Sequence, residues 1–458
     1  MKHRAIWITA LCLAFAAALA AWLLASRDTS RPGGPLRHEV YVWQRAWTQP
    51  VRSAVTQHAA NFAEIVALKA EVSWKDRKPQ LTRVAVDYPS LAKAGRPVGI
   101  ALRIGPYAGP FEKPTPGSDL ARSNTPTQGA RPDIRAPLPQ SSFDGTAITG
   151  YLCDLAAGLV AEVRSNGVRL AELQVDFDAA ESKLDGYRDW VEAIQQRVAP
   201  LPVTITALPS WLNAPAFKRL AAVATNYVLQ VHSVERPKSM EAAFTLCDPA
   251  AASRAVERAG RMGIPFRVAL PTYGYTFAFD PGGKFLGLSA EGPRPNWPTN
   301  ALLREVASNP LELSALVKKW TASRPTALRG VIWYRLPTIV DNFNWRWPTL
   351  RAIVASRSLQ EKLRVEPRRA EAGLTEVILV NEGELDISSR LAVEVRWTDA
   401  RLVAGDALRD FELADRRTSA ARFQTRSQPV RLRAGDRLTL GWLRFDRDCE
   451  VRCELRKL

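Results

Sequence analysis

Residues that assemble metal and redox centres are scarce. The chain carries 4 histidines, 5 cysteines and 3 methionines among 458 residues. Cys449 and Cys453 stand four positions apart with no further Cys or His beside them. That makes a poor zinc site, and neither a metal nor another cofactor is expected. In an extended segment their Cα atoms would lie ~13 Å apart, beyond the ~7 Å a disulfide spans, unless a bulge or turn draws them together. Cys153 and Cys247 are isolated, and Cys12, preceded by Leu11, does not read as a lipoprotein site. A repeat of fixed period is also absent. So is any basic run interleaved with aromatics. The net charge is +17, but Arg and Lys are scattered. Such a balance without a nucleic-acid motif speaks against a nucleic-acid partner. It fits a composition bias, or a positive surface facing anionic polymers or lipids.

One long hydrophobic run occurs. Behind "MKHR", residues 5–25 form an uncharged stretch of about the ~20 residues needed to cross a bilayer. The basic residues in front of it predict that the amino terminus stays inside and the rest is exported. The expectation is an inner-membrane anchor carrying a periplasmic or otherwise extracytoplasmic body. A cleaved signal peptide is the alternative, with small residues at Ala18 and Ala20 available to a peptidase. Residues 26–37, "SRDTSRPGGPLR", read as a polar linker.

The hydrophobic fraction is 46%, so a large core is available. Eight strand-like segments follow the linker: "HEVYVWQRAW", "AEIVALKAEVSW", "PVGIALRIG", "RLAELQVDFD", "LPVTITALPSW", "NYVLQVHSV", "IPFRVALPTYGY" and "RGVIWYRLP". Most are followed by an amphipathic segment such as "GYRDWVEAIQQRV". Strand alternating with helix eight times predicts an α/β fold, a (β/α)8 TIM-like barrel over residues 38–358. The second unit departs from the pattern: "VSWKDRKPQLTRVAVDY" reads as a hairpin, with a helix only in "PSLAKAG". Residues 107–144 and 276–300 read as long loops on the carboxyl-terminal face of the barrel, walls or lids if they are ordered. From about residue 364 the helical period ceases. Short strands separated by turns predict a small all-β sandwich over residues 364–458, immunoglobulin-like in outline.

The fourth strand closes on "LQVDFDAAES". Leu173, Val175 and Phe177 share one face; Gln174, Asp176 and Asp178 share the other. The apolar set suits the helix side of a barrel, which turns the polar set inward at its upper end. Two carboxylates on one strand face lie about 6.6 Å apart at their Cα atoms, close enough to raise the pKa of one and hold an acid and a base together. The plain alternative is that Asp178 caps the next helix. Other strand ends add aromatic, amide and charged groups: Trp43, Arg103, Trp211, Gln230, His232, Tyr273, Tyr275, Trp333 and Arg335. Sugar rings stack on aromatic faces and hydrogen-bond to such polar groups, so these are the candidate substrate-binding residues.

"VDFDAAE", "ALPTYGY" and "GVIWYRLP" resemble the barrel of family-eighteen, chitinase-like glycoside hydrolases, with their D-x-D-x-E signature on the fourth strand. The chain with "YVWQRAW", "QVDFDA" and "ITALPSWL" more closely resembles the bacterial domain-of-unknown-function family numbered 3142, over roughly residues 38–350. The first resemblance implies a catalytic acid two residues after the second Asp, but Ala180 stands there and Glu181 follows. Asp176, Asp178 and Glu181 are therefore the candidate catalytic residues, with Asp178 able to replace the missing acid and Asp176 to orient the substrate. The expectation is a membrane-tethered, glycoside-hydrolase-like barrel acting by acid/base catalysis on a cell-envelope or extracellular glycan. A carbohydrate-binding barrel that has lost its acid, and a structural envelope protein, are the alternatives.

Overall fold

The computed structural model describes residues 31–76, 78–111, 145–233, 237, 239–290 and 295–458. Residues 5–25 and most of the 107–144 stretch lie outside them. Among the described residues, no helix is long and apolar enough to cross a membrane.

The first part of the chain alternates as its apolar runs predict. It builds β1 (Arg37–Val42), α1 (Gln49–His58), β2 (Ile65–Lys75), β3 (Lys78–Arg83), α2 (Tyr88–Lys93), β4 (Val98–Ile104), α3 (Gly145–Ser165), β5 (Leu170–Phe177) and α4 (Leu184–Val198). Then come β6 (Val203–Ala207), α5 (Pro215–Val223), β7 (Tyr227–Gln230), α6 (Pro249–Arg261), β8 (Phe266–Pro271), β9 (Gly274–Phe279), β10 (Phe285–Ser289), β11 (Leu302–Ala307), α7 (Pro310–Ala322), β12 (Leu328–Tyr334) and α8 (Trp347–Val354). Strands β1, β2, β4, β5, β6, β7, β8 and β12 pair in parallel in that order, and β1 pairs with both β2 and β12. The sheet is thus a closed eight-stranded barrel. Proline and short polar residues set the helix starts. Asp87, Asp248 and Asn309 accept hydrogen bonds from the first-turn amides of α2, α6 and α7, each with a proline at the head of the helix. Their oxygens satisfy otherwise unpaired donors, and the proline ring pre-sets the helical φ.

The hairpin read in the second unit is present: β2 and β3 pair antiparallel. Residues 276–300 differ from the loop expected. Strands β9, β10 and β11 form a three-stranded antiparallel sheet standing on the end of the barrel. "DPGG" at residues 280–283 is its first turn, not the body of a loop. Part of the 26–37 stretch packs on the barrel. The Gly34 N–H donates to the Thr321 carbonyl at 2.9 Å, and Arg324 donates to the Gly34 carbonyl at 2.7 Å. Residues 31–36 therefore lie along the ends of α6 and α7.

The barrel interior is stacked in levels. At the lower, strand-start end, Arg267 forms ion pairs with Glu39 and Glu172, and Arg37 with Glu39 and Glu64. Gly99 leaves room for them: a Cβ there would stand 3.0 Å from Glu172 Cγ and 3.2 Å from Glu64 Oε1. Above lies a band of Tyr41, Val66, Ala101, Val228, Ala269 and Ile332. The aspartates lie above that.

The tail adds β13 (Leu363–Glu371), β14 (Leu374–Asn381), β15 (Ile387–Ser389), β16 (Leu391–Trp397), β17 (Leu402–Ala407), β18 (Phe411–Arg416), β19 (Ala420–Thr425), β20 (Val430–Leu432), β21 (Arg437–Phe445) and β22 (Val451–Lys457). Two four-stranded antiparallel sheets, β13-β14-β21-β17 and β18-β19-β16-β22, enclose a second core that includes Leu379, Val393, Phe423 and Leu440. Arg433 ties this unit to the barrel by donating to the carbonyls of Asp341 and Asn344. Cys449 and Cys453 are free thiols.

Candidate functional site

Period-two alternation places the acidic strand end. Leu173, Val175 and Phe177 pack into the helix-facing core, while Gln174 and Asp176 are buried on the axis side. Asp176 accepts a hydrogen bond from Thr206 at 2.7 Å. Asp178 is exposed at the mouth. Both line a cleft of about 300 Å³ together with Trp43, Arg103, Gln230, His232, Tyr273 and Tyr275. Ser233, Phe277, Leu288 and Tyr334 complete its lining.

The cleft wall is an aromatic belt held edge to face. The Trp43 and Tyr334 rings lie 5.5 Å apart, Tyr273 and Tyr334 5.4 Å, and Tyr273 and Tyr275 5.0 Å. Hydroxyls join them: Tyr275 donates to Tyr273 at 3.2 Å, and His232 Nδ1 is 3.2 Å from the Tyr273 hydroxyl. Phe277 and Leu288 come from the small β9–β11 sheet, which extends one wall of the cleft.

Electrostatics divide the polar groups. Burial and the neighbouring Asp178 push the Asp176 carboxyl up to about 6, against the pull of Thr206 and Arg103. Asp178 is raised too, by the same withdrawal of water, with Arg103 opposing. The Arg103 guanidinium stands 3.7 Å from Asp176 and 3.7 Å from Glu71, and Glu71 is also paired with Arg45. Arg103 is thus shared between two carboxylates rather than committed to either. Burial holds His232 down to about 3, so at neutral pH it is an uncharged hydrogen-bonding group.

Four sequence-predicted residues lie elsewhere. Glu181 opens a short 3-10 turn (Glu181–Lys183) on the surface and does not line the cleft. Trp211 is buried against Tyr187 and Phe217. Trp333 faces the helices, where it donates to His38 Nδ1 at 3.1 Å. Arg335 lies past the strand end and pairs with Asp341 at 3.0 Å. Tyr334 takes the inward position instead. Alternation along Val331–Ile332–Trp333–Tyr334 carried that signal, since Ile332 and Tyr334 share a face. Thr206, the hydrogen-bond partner of Asp176, was not singled out; it is the inward residue of β6 next to the strand end. Ser233, Phe277 and Leu288 were not singled out either.

Residues 144–339 match the family model described as Domain of unknown function (DUF3142), and residues 364–446 match Domain of unknown function (DUF8456). The first span contains the three motifs that carry the resemblance to chitinase-like barrels. No match was found among curated proteins. Among solved structures, the chain is similar to the spore cortex-lytic enzyme SleL of Bacillus cereus, with 9% identity, 72% of this chain and 76% of that chain covered, and a TM-score of 0.46. It is also similar to the C-terminal domain of a putative chitinase from Desulfitobacterium hafniense, with 8% identity, 70% and 99% covered, and a TM-score of 0.45. A chitinase from Chromobacterium violaceum is a third, with 11% identity, 70% and 98% covered, and a TM-score of 0.42.

Proposed function

We propose that the barrel is a glycoside-hydrolase-like protein acting on an extracytoplasmic glycan, with Asp176 and Asp178 supplying acid/base chemistry at a glycosidic bond. The observation that carries this reading is the aspartate pair itself. Two carboxyl groups, one on the last inward position of β5 and one just past its end, both raised, sit in a cleft walled by Trp43, Tyr273, Tyr275 and Tyr334. A raised carboxyl keeps its protons to higher pH than an ordinary aspartate does, as a general acid must. Asp178 reaches the mouth and is placed to protonate a leaving glycosidic oxygen. Asp176, buried, held by Thr206 and faced by Arg103, is placed to orient a polar substituent of the sugar. The aromatic rings offer faces for the sugar, and the neutral His232, Gln230 and the tyrosine hydroxyls fix its orientation. The extracytoplasmic setting rests on residues 5–25.

A second reading has one observation in its favour. Ala180 occupies the place of the signature acid, and Glu181 lies outside the cleft. On that ground the barrel would bind glycans without cleaving them. A glycan screen scored for both binding and reducing-end release decides between the two, with Asp178→Asn as control. Release by the wild type that the variant loses while still binding supports catalysis. Binding without release by the wild type moves the conclusion to a sugar-binding barrel. Neither binding nor release overturns both.

A further inference from the structure

We infer that the end of the barrel opposite the cleft rests on an anionic membrane surface, so that the cleft points away from the bilayer and takes a polymeric glycan standing off the membrane rather than a sugar at the lipid headgroups. The inference deepens the proposed function and rests on residues 5–25 being a membrane anchor.

The tether fixes the orientation. Arg31 forms a two-pronged ion pair with Glu257 of α6, at 2.8 and 3.0 Å, and donates to Ser323 just beyond α7 at 2.9 Å. Helices α6 and α7 end at that point and lead into the starts of β8 and β12, at the floor of the barrel. Between Ala25 and Arg31 stand five residues. Even fully extended they reach only ~20 Å, less than the ~25 Å length of an eight-residue barrel strand. An anchor that ends at residue 25 therefore emerges beside the floor and cannot reach round to the cleft.

The floor also has the charge for such a surface. Lys93, Arg96, Arg164, Arg169, Arg261 and Arg329 lie in or beside the turns that lead from helices into barrel strands, and all six are exposed. None is within ion-pair distance of a described carboxylate, although Arg96 donates to the Ala60 carbonyl. The one carboxylate in these turns is Glu64, which is buried and paired with Arg37. Complementing the helix dipoles explains part of the ring, since Lys93, Arg164 and Arg261 end their helices. It does not explain Arg96, Arg169 and Arg329, which follow the helices and precede or open strands. The opposite end carries Asp176 and the exposed Asp178 in the cleft. The molecule is thus polarised along its axis, and cations on one flat face are attracted to anionic headgroups within a Debye length.

Hydrogen exchange of the full chain, reconstituted in nanodiscs of phosphatidylcholine alone or mixed with phosphatidylglycerol, tests this. In the anionic discs alone, amides of residues 94–96, 166–169 and 262–264 should exchange several-fold more slowly, while β9–β11 is unaffected. The protection should fade near ~1 M salt, where the Debye length is ~3 Å. The combined variant Arg169→Glu and Arg329→Glu, at positions outside the helix ends, should lose much of the protection and keep its Tm. Equal exchange of the floor in both lipids overturns the inference, as does protection of β9–β11. Equal protection by soluble polyphosphate in zwitterionic discs would assign the ring to a soluble polyanion and overturns it too. A full chain that inserts into neither disc overturns the anchor and with it this orientation, while the aspartate chemistry remains to be judged by the glycan screen.

Discussion

Glu172 and Asp176 sit four residues apart on β5, face the same interior and are both buried, yet their carboxyl groups shift in opposite directions. Burial raises both. At Glu172 that rise is outweighed by Arg267, with Gln174 and Thr204 adding hydrogen bonds, and the carboxyl ends below the usual range. At Asp176 burial is reinforced by Asp178, while the nearest guanidinium, Arg103, stands 3.7 Å away and is shared with Glu71; the carboxyl ends near 6. One strand thus carries an ion-paired carboxylate near its start and one held near 6 near its end. Depth does not separate them. Commitment of a cation does.

The largest effect should come from breaking the committed end. Arg267→Met leaves Glu172 buried without its cation and Glu39 with Arg37 alone, and should cost about 3–5 kcal/mol in a denaturant titration. A loss under ~1 kcal/mol would mean that the lower network contributes little and that the comparison fails. At the other end, Asp178→Asn should lower turnover by ~10²–10⁴-fold if glycan release is found, with Tm held or raised as a crowded carboxyl is neutralised. A fall in Tm without loss of release would return Asp178 to a capping or packing role.

The pH dependence of stability sharpens the contrast further. The folded state holds Asp176 near 6, above its 3.8 in an unfolded chain. Between those values folded molecules bind more protons, so this group's contribution falls as pH rises from about 4 to about 6. Glu172 acts in the opposite sense: its contribution is present above the ordinary glutamate range and is lost as pH falls through its lowered folded value. Asp176→Asn should flatten the first leg and raise stability at neutral pH by ~1–3 kcal/mol. Glu172→Gln should flatten only the acid leg. Melting curves across pH 3 to 8 read both, and identical profiles for the two variants would erase the distinction. The smallest effect belongs to Glu181→Ala. The side chain is exposed and away from the cleft, so stability should change by no more than ~0.5 kcal/mol and release or binding should be unchanged. A large loss would place Glu181 in the chemistry after all.

The sequence made the barrel legible because each of the eight strands keeps its apolar alternation and most are followed by a helix with its own period. The hairpin of β2 and β3 was legible for the same reason. The sheet of β9, β10 and β11 was not. Its strands pair only with one another, and Leu286, Leu302 and Leu303 stay exposed, so it lacks the one-sided apolar pattern that marks a half-buried strand. At the site, residues were legible where alternation was followed through, as from Leu173 to Asp178. They were misplaced where an aromatic at a strand end was counted without its face, as with Trp333 in place of Tyr334. Trp211 belongs to a short turn after β6, where no period exists to say which way it points. The lower network was hidden because Glu172 in "AELQV" and Arg267 in "PFRVAL" read as polar interruptions of strands; only closure of the barrel brings them together.

The band of Tyr41, Val66, Ala101, Val228, Ala269 and Ile332 between the two charged levels has a consequence of its own. Among the described residues, one polar thread crosses it: Tyr41 donates to Gln174, and Gln174 donates to Glu172. Neither side chain of that thread carries a charge at neutral pH. The band keeps the two sets of charges apart in space. The charges that chiefly act on Asp176 are Asp178, Arg103 and Glu71, whereas on Glu172 it is Arg267 that dominates. Residues at the mouth can change one by one without touching the ion pairs of the floor.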